Sequence, residues 1–277
     1  MEKVIPSIND NIADTLFITV YMRALDARQK HPVLGDRRSV ELMDRIDYPF
    51  EKYSGIKMMS RLGTCVRLKY IDEQLEDFIA THEKAIVVNI GCGLDDRYSR
   101  VKNASKAIFY ELDIPECIQL RKQLIPTHPN QFLISGSAFE PGWLEKLREK
   151  HPDGNFIFIA EGVFMYFSEK EISQLLCSIA DSFPNARIIF DGISETLSRH
   201  SDKHDTLRNA KAVFAWGFDD NHIFEKWHPG LKLDKVFYIM LGMRKYSFPV
   251  RLISYIPMFG KGSKIISLSV RNFRIAR

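Results

Sequence analysis

The sequence predicts an α/β protein with a doubly wound, mostly parallel β-sheet. From residue 85 onward, short apolar runs alternate with helical segments, which is the pattern of repeated βαβ units. The run FIFIA at 156–160 lacks polar alternation, as expected of a strand that is covered on both faces. Residues 1–80 contain no comparable run, and they are predicted to form an N-terminal helical cap ahead of a core at 81–277.

Three helices are predicted in the cap. The first spans Ile12–Asp26, where apolar residues recur at helical spacing. The second spans Asp36–Arg45 and stops before Pro49. The third follows Gly63, where the stretch VRLKYIDEQLEDFIATHEK has one apolar face and leads into the first strand.

The core is predicted to begin with five strands that are separated by four helices. The stretch after Ser168 also carries a capping-box pattern, with Glu171 three residues on. Two later runs, KVFYIM and KIISLSVRNFRIA, predict further strands, and residues 195–235 are predicted to form a lid or acceptor insertion. The first five strands are Ala85–Ile90, Ala107–Glu111, Gln131–Ser135, Asn155–Ala160 and Arg187–Asp191, and the helices are Asp96–Val101, Pro115–Leu124, Gly142–Lys150 and Glu169–Ser182.

The bulk composition is that of a globular protein, with 277 residues, 45% hydrophobic and 27% charged. A net charge of +4 does not require a nucleic-acid partner, and none is expected. No apolar run approaches the roughly 18 residues that span a bilayer, and the N-terminus does not resemble a signal peptide. No oligomeric state is predicted. The protein is expected to be cytoplasmic, because its cysteines form no CxxC pair or regular framework. They are Cys65, Cys92, Cys117 and Cys177.

Basic residues gather toward the C-terminus. A solvated surface is the simpler interpretation of such sparse charges, and a basic face that meets an acidic substrate or a membrane surface is the alternative. The residues are Arg244, Lys245, Arg251, Lys261, Lys264, Arg271, Arg274 and Arg277.

The stretch from residue 85 to residue 115 predicts a nucleotide-binding site. Its first strand ends in a turn that contains Gly91 and Gly93, and glycines let a ligand approach the backbone closely. The next strand ends in Glu111 and Asp113, and an acid at this place can accept hydrogen bonds from ribose hydroxyls.

The residues after the glycine turn bear on which nucleotide binds. A dinucleotide fingerprint requires a third glycine where this chain has Asp96, which disfavours a nicotinamide cofactor. Asp95 and Asp96 would also repel a phosphate at the helix start. A cationic or zwitterionic ligand is expected instead, and S-adenosylmethionine carries a sulfonium and an ammonium and no phosphate.

Four motifs resemble the leucine carboxyl methyltransferase family, which includes polyketide O-methyltransferases of the tetracenomycin type. They are NIGCGLDDR, YELDIPECIQLR, FIAEGVFMYFSEKEI and RIIFDGISE, in this order. The stretches YMRALDARQKHPVLGD and RLGTCVRLKYIDEQLEDFI are similar to the family's helical cap, so the resemblance runs from about residue 15 to residue 235. It implies a class I methyltransferase fold, S-adenosylmethionine as methyl donor and an oxygen acceptor, often a carboxylate.

The resemblance also implies roles for particular residues. Arg67 matches the arginine that pairs with the methionine carboxylate of the donor, for which a guanidinium fork is suited, and Arg61 is the alternative. Gly91 and Gly93 match the donor-binding turn.

Acidic and small residues at other strand ends complete the carried-over set. Asp113, or less favourably Glu111, matches the acid that holds the ribose. Ser137 and Ala138 stand where the family usually has an Asp-Leu pair against the adenine, a departure that leaves this contact open. Glu161 matches an acid that faces the donor's amino group or the floor of the site.

Aromatic residues and histidines give weaker candidates. Tyr166 follows Glu161 in the same motif and is the candidate catalytic residue, although an aromatic there is more often part of a core. His200 and His204 have metal-ligand spacing but no third ligand, so no metal site is expected. Four aromatics are candidates to cover an apolar acceptor or are an ordinary hydrophobic cluster: Trp216, Phe218, Phe224 and Trp227.

The functional hypothesis is an S-adenosylmethionine-dependent O-methyltransferase that acts on a small metabolite. Carboxyl methylation of a protein C-terminus is one alternative. A methyltransferase-fold protein that binds the nucleoside without catalysis is another.

Overall fold

The computed structural model describes residues 3–200, 212–256 and 260–271, and its centre is a seven-stranded sheet. The strands are β1 (Ala85–Ile90), β2 (Ile108–Asp113), β3 (Gln131–Ser135), β4 (Asn155–Ala160), β5 (Arg187–Ile193), β6 (Leu231–Tyr238) and β7 (Ser263–Val270). Their order is β3-β2-β1-β4-β5-β7-β6. The first five strands are parallel, and β7 is antiparallel to both of its neighbours.

Eleven α-helices accompany the sheet within those ranges. They are α1 (Leu16–Ala27), α2 (Arg37–Arg45), α3 (Met58–Thr81), α4 (Arg97–Arg100), α5 (Pro115–Leu124), α6 (Trp143–Lys150), α7 (Glu169–Ser182), α8 (Glu195–Arg199), α9 (Ile223–Trp227), α10 (Ile239–Met243) and α11 (Phe248–Ile253).

Both faces of the sheet are buried, as the apolar strands predicted. Val88 and Phe158 belong to one apolar cluster, whereas their sequence neighbours Val87 and Ile157 belong to another. Successive strand residues point to opposite faces, so the two clusters lie on the two sides of the sheet. Helix α3 supplies much of the second cluster, and therefore packs directly on the strands. The division into a cap at 1–80 and a core at 81–277 stays a prediction.

Strand order determines where a ligand site can form. β1 lies between β2 and β4, and the chain leaves β1 toward β2 on one side while β4 lies on the other. Such a reversal opens a crevice at the carboxyl ends of the strands. Register pairs Asn89 with both Glu111 and Ile159, so the turn after β1 lies beside the ends of β2 and β4.

Several element boundaries differ from the predicted ones. β2 runs two residues beyond the predicted Ala107–Glu111, so Asp113 is its last residue. Helix α3 begins at Met58, before Gly63. The run KVFYIM is divided, because Tyr238 ends β6 and the next residues begin α10.

The capping box before α7 is confirmed. The Ser168 hydroxyl accepts the Glu171 backbone N–H at 3.3 Å, and the Glu171 carboxylate accepts the Ser168 N–H at 2.9 Å. Two of the otherwise unpaired donors at the helix start are thereby satisfied.

The four late aromatics form the hydrophobic cluster that was the alternative to an acceptor cover. Trp216 and Phe218 stack with ring centroids 4.7 Å apart, and both contact the fully buried Phe224. Trp227 packs against Phe224 at 5.1 Å. Their apolar surface is used inside the core, which corrects the expectation that they cover an acceptor.

Candidate functional site

Two neighbouring cavities lie at the carboxyl ends of the strands. The first, of about 240 Å³, is lined by residues of the β1, β2, β3 and β4 ends together with the region that precedes and begins α1. The second, of about 270 Å³, lies between α1, α3, α10 and the ends of β4 and β5. Both are lined by Thr15, Thr19 and Gly162, so they share a wall.

The glycine turn forms one side of the first cavity. Gly91 has φ +66° and Gly93 has φ +47°, which are left-handed conformations that glycine adopts without strain. A Cβ atom at Gly91 would lie 2.4 Å from Cγ2 of Val163, a clash that no real Cβ tolerates. The turn therefore requires glycine both for its backbone angle and for its packing.

Side chains from three elements hold the backbone of this turn. Arg121 of α5 donates to the carbonyls of Gly93 at 3.1 Å and Asp95 at 2.8 Å. Arg23 of α1 donates to the Leu94 carbonyl at 3.2 Å. The Asp113 carboxylate accepts the Gly93 N–H at 2.7 Å. These contacts pre-organise the cavity wall before any ligand binds.

Asp113 and Glu111 are separated by the structure. Asp113 lines the first cavity, and burial raises the pKa of its carboxyl group, opposed by the backbone N–H groups of Gly93 and Ile114. Glu111 is fully buried and accepts hydrogen bonds from the side chains of Asn89 and Gln131, each at 3.0 Å. This corrects the inclusion of Glu111 among the ligand-binding candidates, because its carboxylate is enclosed in the core.

Ser137 and Ala138 also line the first cavity, after the end of β3. The Ser137 hydroxyl accepts the Phe139 N–H at 3.2 Å, and the Ala138 carbonyl accepts the Trp143 indole N–H at 3.0 Å. These bonds fix the loop that forms the far end of the cavity. Their contact with an adenine stays a prediction.

Glu161, Arg67 and Asp191 form an ionic cluster beside the shared wall. The Arg67 guanidinium donates to Asp191 Oδ2 at 2.8 Å and pairs with Glu161. The other Asp191 oxygen accepts the Gly162 N–H at 2.6 Å. Burial raises the pKa of Glu161, and the neighbouring Arg67 opposes that shift. The role of Arg67 at a donor carboxylate stays a prediction, since Arg67 lines the second cavity rather than the first.

Asp95 and Asp96 do not offer free negative charge to a ligand, which corrects the expectation drawn from them. Asp95 pairs with Arg100 at 2.8 Å, Arg23 at 2.9 Å and Arg97 at 3.2 Å. Burial alone would raise the pKa of the Asp95 carboxyl, but these three arginines hold it well below its usual range. Asp96 accepts from Arg38 of α2 at 3.1 Å.

The arginines extend this pairing into a buried network that fastens the glycine turn to α1, α2 and α3. Arg97 donates to Asp72 of α3 at 3.0 Å and to the Asn89 side chain of β1 at 2.7 Å. Arg100 also reaches Asp72, at 2.6 Å. Sequence reasoning missed this network, although Arg97 stands inside the recognised motif NIGCGLDDR.

The second cavity has mostly apolar walls with a few polar groups. Its polar contributors include Arg67, Asp191 and Tyr166. Leu197 and Phe214, which fall inside the predicted lid, line it as well. Thioether side chains adapt to the shape of an apolar ligand, and five of them line this cavity. They are Met22, Met59, Met165, Met240 and Met243.

No cluster of three or more His, Cys, Asp or Glu residues in the described ranges is arranged to hold a metal ion. His200 is exposed, and its ring contacts the Thr196 carbonyl at 2.8 Å. His204 lies outside the described residues. None of the helices in the described ranges is long and apolar enough to cross a membrane.

Comparison with known proteins adds to this geometry. The family model described as leucine carboxyl methyltransferase matches residues 8–180. The tetracenomycin polyketide synthesis O-methyltransferase TcmP of Streptomyces glaucescens is 31% identical over 81% of this chain and 82% of its own. The S-adenosyl-L-methionine-dependent methyltransferase dpfgK of Gibberella zeae is 27% identical over 82% of each chain.

A solved structure supports the fold assignment. A Thermobifida fusca protein assigned as a methyltransferase superposes with a TM-score of 0.57 at 13% identity, covering 91% of this chain and 94% of that chain. Together with the strand order, this similarity shows the class I methyltransferase fold.

Proposed function

The chain belongs to the leucine carboxyl methyltransferase family and is an S-adenosylmethionine-dependent methyltransferase, and on this premise we propose that it methylates an oxygen of a small apolar metabolite. The observation that carries this proposal is the wall shared by the two cavities, at Thr15, Thr19 and Gly162. A donor in the first cavity and an acceptor in the second would meet at that wall.

The residues of the first cavity fit the proposed donor. The Asp113 carboxylate faces the cavity and still has lone pairs for two ribose hydroxyls. The bare backbone at Gly91 and Gly93 admits the ligand closely, and Glu161 can accept from an ammonium group. When bound, S-adenosylmethionine supplies an electrophilic methyl group on a sulfonium.

Positioning is the main contribution of this chain to the reaction. A carboxylate acceptor is already nucleophilic, so it needs orientation and exclusion of water rather than a base. Arg67, Asp191 and Tyr166 are polar groups in the mostly apolar walls of the second cavity, beside several Ser and Thr hydroxyls. An aromatic or polyketide-like acceptor that carries one polar group fits this lining better than an extended protein tail. The relative TcmP, named for tetracenomycin polyketide synthesis, points to the same class.

Tyr166 is not expected to act as a base. Burial raises the pKa of Tyr166 to about 12, so its hydroxyl remains protonated at neutral pH. We therefore expect the rate of methyl transfer by the wild type not to rise between neutral pH and about pH 10, the pKa of an ordinary tyrosine. The Tyr166→Phe variant should show the same pH profile. Initial rates across that range measure this. A rising limb that the substitution abolishes would show that the phenolate takes part.

Glu161 is expected to contribute to donor binding. In the Glu161→Ala variant the dissociation constant of S-adenosylhomocysteine should rise at least about tenfold, equivalent to roughly 1.4 kcal/mol. The loss follows because an acceptor in the cavity wall disappears and Arg67 loses one of its two counter-charges. Isothermal titration calorimetry measures it, with Glu169→Ala, an exposed acid at the start of α7, as control. Unchanged affinity in Glu161→Ala would remove this residue from the site.

A turnover assay tests the proposed reaction. Radiolabelled S-adenosylmethionine is incubated with the protein and either aromatic carboxylic acids and phenols or peptides that end in leucine. Label transfer to the small molecules supports the proposal. Transfer only to the peptides would establish protein carboxyl methylation instead, and tight donor binding without any transfer would favour a non-catalytic protein.

The predicted lid and compartment remain part of the proposal. Leu197 and Phe214 line the second cavity, which supports a role of the segment 195–235 in acceptor choice.

All four cysteines are unpaired, which fits a reducing compartment such as the cytoplasm.

A further inference from the structure

The connection between β6 and β7 exposes large apolar side chains. Ten large apolar residues are exposed in the described ranges, and six of them fall within residues 241–256. Monomeric proteins rarely leave such residues grouped at the surface unless the group binds something. We refer to the six as the β6–β7 patch: Leu241 (36% exposed), Tyr246 (37%), Phe248 (70%), Leu252 (57%), Tyr255 (65%) and Ile256 (50%).

The patch follows the outward face of α11 and the turn after it. Phe248, Leu252 and Tyr255 are spaced four and then three residues apart, which places them on one side of a helix. The backbone turn continues past α11, because the Tyr255 N–H donates to the Leu252 carbonyl at 3.3 Å. Val250 and Ser254 are buried on the opposite side. The helix thus turns apolar residues both to the protein and to solvent.

The outward face is held in place by Arg244. Its guanidinium donates to the Ser254 hydroxyl at 2.6 Å and lies over the Tyr255 ring, with 4.6 Å from Cζ to the ring centroid. This contact ties the end of α10 to the end of α11. Arg244 thereby holds the end of the outward face, at Tyr255, against the rest of the fold.

Within the connection between β6 and β7, every charged residue is basic. The sequence contains no Asp or Glu after Asp234. Exposed Lys245 and Arg251 lie within the patch in sequence, and exposed Lys261 follows it by five residues. An apolar face bordered by cations and lacking acids is complementary to a membrane surface with anionic headgroups. Two copies of the same patch would repel each other, which disfavours a dimer through this face.

A third cavity adjoins the patch and is also basic. It measures about 240 Å³, and its lining includes Lys69, Arg244 and Lys245 together with Leu241 and Tyr246 of the patch. Its single acid, Glu73, lies 3.6 Å from Lys69. A phosphate-bearing headgroup could pair there with Arg244 and Lys245. These two cations lie next to the apolar side chains that would enter the acyl boundary.

The patch belongs to a connection at the carboxyl-end edge of the sheet, the same edge that carries both ligand cavities. Lys264 near the start of β7 pairs with Gly192 near the end of β5 and with Tyr238 at the end of β6. The connection between β6 and β7 therefore leaves and returns at the carboxyl edge. Met240 and Met243, from the same connection, line the second cavity.

We propose that the β6–β7 patch binds the protein to an anionic membrane surface, lying at the level of the headgroups. Binding in this orientation brings the second cavity close to the bilayer, so that an apolar acceptor enters from the lipid. The acceptor part rests on the proposed function, whereas the binding part stands without it.

Cosedimentation with phosphatidylglycerol/phosphatidylcholine vesicles, in the absence of donor and acceptor, tests the proposal. We expect the wild type to pellet with these vesicles and to bind pure phosphatidylcholine much more weakly. The double variant Lys245→Gln/Arg251→Gln should bind on the order of 30-fold more weakly, since each cation near an anionic leaflet contributes a factor of about five. Phe248→Ser/Leu252→Ser should lose at least about tenfold.

Matched variants away from the patch serve as controls. Lys84→Gln/Lys102→Gln removes two cations whose side chains are 69% and 82% exposed, and Ile5→Ser removes an apolar residue that is 77% exposed. These controls should bind like the wild type, and thermal melts confirm folding of every variant.

Three results would overturn the proposal. They are failure of the wild type to bind anionic vesicles, equal losses in the control variants, and a dimer-to-monomer change in the patch variants by sedimentation velocity. The last result would assign the patch to a protein interface. Because the vesicle assay needs no turnover, its failure leaves the proposed methyltransferase reaction untouched.

Discussion

Replacing Arg97 by methionine is expected to destabilise the protein by about 3–5 kcal/mol, the usual cost of breaking a buried ion pair from one side. Arg97 is 3% exposed, and its guanidinium contacts Asp72, Asp95 and Asn89. Methionine fills the space but leaves the buried Asp72 and the partly buried Asp95 with fewer counter-charges, and the Asn89 amide oxygen without its donor. A chain of this size should then melt roughly 5–9 °C lower.

Differential scanning calorimetry measures this change, with Arg199→Met as control. Arg199 also pairs with an acid, Glu195, but its side chain is 73% exposed, so its loss should change stability by less than about 0.5 kcal/mol. Equal melting temperatures for wild type and Arg97→Met would show that the network around Asp95 does not fasten the glycine turn to α3.

Removing the carboxylate of Asp113 should weaken donor binding about 10- to 100-fold, because two charge-assisted hydrogen bonds to ribose hydroxyls would be lost. Asp113→Ala is compared with Glu111→Gln by titration of S-adenosylhomocysteine. Glu111 is enclosed by Asn89 and Gln131, so its substitution should lower the melting temperature while the dissociation constant stays within about twofold.

The same carboxylate makes donor binding sensitive to acid. Burial raises the pKa of Asp113, so the carboxylate gains a proton at a higher pH than an ordinary aspartate, whose pKa is about 3.9. Affinity should be full above that raised pKa and fall as the pH drops through it. Wild-type affinity in Asp113→Ala, or a loss in Glu111→Gln alone, would contradict the placement of Asp113 at the ribose.

The central strands of the sheet could be predicted from the sequence because they are buried on both faces. β1, β3 and β4 have the predicted bounds, and so do α5 and α7. β1 and β4 are almost entirely apolar and buried along their length, whereas the edge strand β3 is only partly buried. Helix α7 begins with a local capping signal at Ser168 that depends on no distant residue.

The short helices α10 and α11 could not be predicted in the same way. Each has only five or six residues, too few for helical propensity to dominate. They are held by tertiary contacts, such as the burial of Met243 and Val250 against the second cluster. Because KVFYIM has a strand-like composition, the predicted strand continues past Tyr238 into residues that form α10.

The site was predicted in its parts, but the pairing of its charges was not. Sequence placed Gly91, Asp113 and Glu161 at strand ends, and the structure brings all three to one cavity. It did not show that the charge of Asp95 is compensated by three arginines: Arg97 and Arg100 are close in sequence but give no pairing signal, and Arg23 lies more than seventy residues away in the chain. Nor could it separate Asp113 from Glu111, because only burial distinguishes two acids on the same strand.

A crystal structure with S-adenosylhomocysteine and an aromatic acid tests the central claim most directly. We predict the ribose against the Asp113 carboxylate in the first cavity, the sulfur at the wall formed by Thr15, Thr19 and Gly162, and the acid across that wall in the second cavity. Nucleoside density in the second cavity, or a sulfur that points away from Gly162, would contradict the account.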